Sequence, residues 1–332
     1  MNGPQHRHPR TASAIARRIL WVILAVADGF APTPSAFGLP PAERWLPTNT
    51  LAYVTVPNAA VARVAWQGQS PARLWADPAM RPFRRHVEDR WSALLADPLE
   101  KLTGFRFDEL LGLAQGQCTL AWIEAAASGA APAADRHVLL VDAGSDPTSL
   151  DTWWTCRDPA LRVERFAASG ASVVAVPLAP GTFDDLFRGF LPPLDSASAR
   201  TTNASAPNAL YVARHGNAIL VTTSTNVLTH ALPRLSEPTV PSPPSEVLRG
   251  TVSVPALLRH LPALPQVLGG FASSEAGAGL RGWASALGLG SLRQVAFAIR
   301  ASPEGWASEV RLVVPSAARQ GLFGMFALRE AD

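Results

Sequence analysis

The chain has 332 residues, enough to bury a sizeable core and to form one large domain or two of ordinary size. Lys+Arg 29 against Asp+Glu 26 gives a formal charge of +3, and Arg7, Arg10, Arg17 and Arg18 against Asp28 supply all of it. Beyond residue 38 the charges balance, so there is no basic reservoir for a phosphate backbone or an anionic membrane surface, and nucleic acid is not an expected partner.

Arg17-Arg18 precedes nine apolar residues, 19–27, then Asp28-Gly29 and a Pro/Ser/Ala stretch. A membrane span needs about 20 apolar residues and a secretory core roughly 7 to 15, so residues 1–38 are expected to be a signal peptide and leader. Gly29-Phe30-Ala31 and Ala36-Phe37-Gly38 both place small residues at a cleavage site, the second being preferred. The expected location is periplasmic or secreted; the alternative is an inner-membrane anchor, with membrane contact only through an uncleaved leader. Cys118 and Cys156 are the only cysteines. Cys118 alternates with Leu120 and Trp122 like a core residue, which favours free, buried thiols over a disulfide.

In chain order, residues 51–56 alternate as a strand stopped by Pro57, and 58–66 read as a helix ended by Gly68. A helix starting at Asp77-Pro78 or Arg81-Pro82 places Phe83, Val87, Trp91, Leu94 and Leu95 on one stripe, with Arg84/Glu88 and Arg85/Asp89 on the other face and His86 in solvent. Asp97-Pro98 opens a short helix closed by Gly104, and 108–116 form another. Residues 117–123 and 137–141 are expected to pair antiparallel across the loop 125–134. Asp146-Pro147 starts a helix carrying Leu150, Trp153 and Trp154, where core packing is favoured over a ligand platform. Two hairpins follow, 162–166 with 172–176 around Ser169-Gly170, and 210–214 with 218–222 around His215-Gly216-Asn217. A Ser/Ala/Thr-rich loop, 195–207, lies between them.

The stretch 237–245, with Pro238, Pro241, Pro243 and Pro244, is taken as a linker between a first lobe, 39–236, and a smaller second lobe, 246–332. The second repeats the order of the first. Thr251-Val252-Ser253-Val254-Pro255 echoes Tyr53-Val54-Thr55-Val56-Pro57; helices are expected at 256–261 and near 280–287. Val295, Phe297 and Ile299 are set against Cys118, Leu120 and Trp122, and Val310, Leu312 and Val313 against Val138, Leu140 and Val141. The fold class expected is α+β, mainly antiparallel sheets with helices packed on one face and a diverged internal duplication.

Catalytic and binding motifs are absent from the sequence. No G-x-S-x-G elbow occurs, and His86, His137, His215, His230 and His260 flank no evident partner. The run 142–146 resembles a fragment of a calcium loop but lacks its later glycine and glutamate, and Asp184-Asp185 is read as a helix start. Catalytic, cofactor-binding and metal residues are therefore all assigned as none, and no cofactor is expected.

The run 45–57, followed by Leu74-Trp75-Ala76-Asp77-Pro78-Ala79-Met80-Arg81-Pro82-Phe83, resembles the opening of a family of exported bacterial proteins known only as domains of unknown function. Residues 139–144 and 310–321 also resemble that family, and the similarity covers most of 45–326. The resemblance implies export and supplies no activity or catalytic residue. The expected function is a non-catalytic envelope or secreted binding or structural module whose partner is an unknown envelope protein or ligand. The alternatives are an exported hydrolase with a dispersed Ser/His/Asp site and a carrier of apolar ligands.

Overall fold

The computed structural model describes residues 38–93, 97, 100–101, 104–124, 136–144, 147–155, 164–177, 209–237, 246–255, 288, 291–302 and 305–316. The leader, Cys156, Asp184-Asp185, His260, the loop 195–207, the helices expected at 256–261 and 280–287, and most of the linker 237–245 lie outside them.

Ten strands form one sheet in the order β10-β9-β8-β1-β2-β3-β7-β6-β5-β4. They are β1 (Thr50–Val56), β2 (Cys118–Ile123), β3 (Arg136–Asp142), β4 (Glu164–Ala168), β5 (Ala171–Pro177), β6 (Ala209–His215), β7 (Ala218–Thr222), β8 (Glu246–Ser253), β9 (Gln294–Ser302) and β10 (Gly305–Val313). Every neighbouring pair is antiparallel. The mixed α+β class and the large antiparallel sheet agree with the sequence reading. The strands of the two expected lobes share this sheet, because β8 hydrogen-bonds directly to β1 with Tyr53 opposite Thr251.

Strand alternation sends successive side chains to opposite faces, and both faces of the central strands are covered. On one face Val56, Cys118, Val141, Val174, Val212 and Ile219 pack with helices α2 (Ala59–Gln67), α5 (Phe107–Leu113) and α6 (Pro147–Thr155). On the other, Tyr53, Ala121, Val138, Leu140, Val173 and Leu220 pack with α1 (Ala42–Trp45) and α7 (Thr225–Leu235). The expectation of helices on a single face is therefore corrected. Its physical origin is visible in β5 and β7, whose near-continuous apolar runs bury both sides.

Local chemistry explains most element ends. The side chain of Asn58 accepts from Val61 N at 2.9 Å and caps α2. Asp77 accepts from Ala79 N at 2.8 Å at the start of a 3-10 turn, Pro78–Met80, between α3 (Ser70–Ala76) and α4 (Arg81–Trp91). The β4–β5 turn uses Ser169 at φ 48 and Gly170 at φ 78, the left-handed pair that a tight hairpin requires. On α4 the expected stripe holds only in part. Val87 is buried, but Phe83 is 52% exposed and meets Trp75 edge-on. Arg84 and Glu88 pair at 3.7 Å as the spacing suggests.

Candidate functional site

A pocket of about 160 Å³ opens over the sheet where β1, β8, β9 and β10 run side by side. Its floor follows from register. Tyr53 lies opposite Thr251, Arg249 opposite Ala298, and Ala298 opposite Glu309, so these side chains share a face. Alanines at 296 and 298 keep the floor low, and α1 contributes Glu43 at the rim.

Six charges line this pocket as two triads. Arg249 reaches Glu43 Oε2 at 3.2 Å and Glu246 Oε2 at 3.4 Å. Arg300 and Arg311 reach Glu309 at 3.0 and 3.3 Å. The first triad carries one surplus negative charge and the second one surplus positive charge. The Tyr53 hydroxyl donates to Glu43 Oε1. Burial, followed by the hydrogen bond to Glu43, raises the phenol's pKa well above its ordinary value, so it remains a proton donor at neutral pH. Arg249 Nε is buried and finds no acceptor among the described residues, which leaves a donor for a ligand oxygen.

The described histidines are dispersed. His86 is exposed on α4. His137 stacks on Trp122 with ring centroids 6.4 Å apart, and both its ring nitrogens are shielded from solvent. Burial lowers its pKa to about 4, so it is neutral at pH 7. His215 occupies the expected turn, where its Nε2 lies 2.9 Å from Ser236 Oγ just beyond α7. His215 Nδ1 has no hydrogen-bond partner among the described residues. No described residue then orients the imidazole through Nδ1, as the third member of a triad would.

Other candidate residues are structural. Cys118 is a free, buried thiol whose pKa burial pushes up to about 12, so it is inert as a nucleophile at neutral pH. Asp142 turns its carboxylate back onto Gly144 N at 2.8 Å, within a hub where Gln115 N and Gly116 N both donate to its carbonyl. Burial raises its pKa. Trp153 is 4% exposed, stacks on Phe105 at 4.7 Å and donates to Arg106 O at 2.8 Å, as core packing requires. Among the described residues no group of three or more His, Cys, Asp or Glu is placed to hold a metal, and no helix is long and apolar enough to cross a membrane.

No spacing in the sequence marks the charged pocket, because its members come from α1 and four strands up to 268 residues apart, Glu43 to Arg311. One signal is present: Arg249, Arg300, Glu309 and Arg311 place charges inside β8, β9 and β10. Comparison with family models, with curated proteins and with solved structures finds no match for this chain.

Proposed function

We propose that this chain is an exported, non-catalytic binding module that holds a small dipolar ligand, one bearing a cationic and an anionic group, in the pocket over β1, β8, β9 and β10. The observation that carries this reading is the placing of two ion-pair triads with opposite surplus charge side by side in one pocket, Glu246 opposite Arg300. A cationic group belongs beside Glu43 and Glu246, an anionic group beside Arg300 and Arg311. Among the described residues its lining includes no His, Cys or Ser, which favours binding over turnover. Its volume suits a ligand about the size of one amino acid, and the six charged side chains on its lining favour a charged ligand over an apolar cargo.

Export rests on the leader at residues 1–38 and on the resemblance to exported bacterial proteins. The mass of the mature N-terminus from an expressing cell tests it: a start near Gly38 or Leu39 supports export, and an intact Met1 in the cytosol refutes it.

The pocket sits where two related three-stranded units meet. Strands β1-β2-β3 and β8-β9-β10 are both antiparallel meanders, joined back to back through β1 and β8. Taking Val54 as the equivalent of Val252, the ladders match Leu120 with Val295 and Leu139 with Leu312. Tyr53 then lies opposite its own equivalent, Thr251, as a local two-fold axis demands. This supports the duplication while shifting every expected β9 and β10 correspondence: Val295 moves from Cys118 to Leu120 and Phe297 from Leu120 to Trp122, and β10 moves by one residue, Leu312 from Leu140 to Leu139.

Thermal unfolding in the presence of free amino acids tests the binding role. A ligand at 100 times its Kd raises stability by about 2.7 kcal/mol, a readily measured shift in Tm. Arg300→Ala and Glu246→Gln should each remove the shift. The Ser236–His215 contact favours a second reading, an exported hydrolase. Ester turnover abolished by Ser236→Ala would establish it.

A further inference from the structure

β10 ends the sheet, and among the described residues no strand pairs with its outer side. It is nine residues long and pairs with β9 without a register shift from Gly305 to Val313. The opposite edge, β4, has only five. β10 has no proline, lysine or bulge, and the charges it carries, Glu309 and Arg311, are of opposite sign. Val310 and Leu312 project from the face opposite the charged pocket and are 63% and 47% exposed.

We propose that the occupant of this edge is a second copy of the same strand, antiparallel across a two-fold axis through Val310. Such an axis, perpendicular to the sheet, keeps each face continuous, so residues of like parity must face each other. An axis at Glu309 sets two glutamates opposite each other, and one at Arg311 sets two arginines opposite. An axis at Val310 sets Glu309 opposite the partner's Arg311 and Arg311 opposite the partner's Glu309. It also places the exposed Val310 side chains in direct cross-strand contact. Opposite-charge and β-branched pairs stabilise such ladders, and like charges directly opposite destabilise them. Because Glu309 and Arg311 also line the pocket, the pairing brings the two pockets to either side of the seam.

Sedimentation of the full mature chain is expected to show a concentration-dependent dimer. Val310→Lys, at a position already 63% exposed, places two ammonium groups on the axis and should weaken association at least about tenfold while leaving Tm unchanged at concentrations where the wild type is monomeric. Glu309→Arg should weaken it similarly, and adding Arg311→Glu should restore it. In a Cys156→Ser background, Val310→Cys should give a disulfide-linked dimer on mild oxidation, since Cα atoms of directly opposed residues lie about 4.5–5.5 Å apart. A wild-type chain that stays monomeric at the highest concentration reached overturns the proposal. So does a dimer that Val310→Lys leaves intact and Val310→Cys does not cross-link.

Discussion

Gly250 sits in the middle of β8, opposite Val54 on one side and Phe297 on the other, at the floor of the junction between the two meanders. A Cβ added there would lie 2.5 Å from the Tyr53 carbonyl oxygen and 2.6 and 2.8 Å from two atoms of the Phe297 ring. The ring can shift, but the carbonyl belongs to a strand held by β2 and β8 together. Overpacking of this kind costs about 1–3 kcal/mol, against the 0.4–1 kcal/mol that Gly→Ala normally contributes by restricting the unfolded chain. Gly250→Ala should therefore destabilise by about 1–2 kcal/mol, a fall in Tm of about 2–8 °C. Gly112, in α5, has nothing within 4 Å of an added Cβ, and Gly112→Ala should stabilise by up to about 1 kcal/mol. Urea unfolding of both variants gives the comparison. A Gly250→Ala protein as stable as wild type would refute the close approach of β8 to β1 and Phe297.

Arg249→Met should destabilise by about 2–4 kcal/mol, since it strands Glu246, whose side chain is only 9% exposed; Arg311→Ala, at 74% exposure, should change stability by less than about 0.5 kcal/mol in the same denaturation assay. His137 is held neutral, so its contribution is complete above pH 6.5 and is lost as pH falls towards about 4. His137→Phe, which keeps the stack on Trp122, should flatten stability across that window by on the order of 2–3 kcal/mol, measured from Tm against pH. Trp153→Ala should cost about 3–5 kcal/mol and Trp153→Phe about 1–2 kcal/mol by chemical denaturation, the latter reflecting the lost bond to Arg106 O.

Periodicity exposed the parts of this fold that have one apolar face or a tight turn. β1, β2, β3 and the hairpins 164–177 and 209–222 lie within a few residues of where alternation and Ser-Gly or Gly-Asn turns place them. Three helices escaped notice. α1 has four residues, too few for a period, and α3 follows Gly68 so closely that the earlier helix end hides it. α7 was legible, with Ser224 before it and Val227, Leu228, Ala231, Leu232 and Leu235 at helical spacing; Pro233 near its end obscures the pattern. Strand order was out of reach, because the pairing of β8 with β1 and the placing of β7 beside β3 depend on packing between distant segments. The pocket shares that difficulty: no local spacing signals that Glu43 meets Arg249.

The dipolar pocket is tested most directly by calorimetric titration of the mature chain with three probes of matched length: an ω-amino acid, the carboxylate without the amine, and the amine without the carboxylate. The expected result is saturable binding of the two-charge probe, at least about tenfold tighter than either single-charge probe, with the advantage lost in Glu246→Gln and in Arg311→Ala. Equal affinities for all three, or an advantage that survives both substitutions, would contradict it.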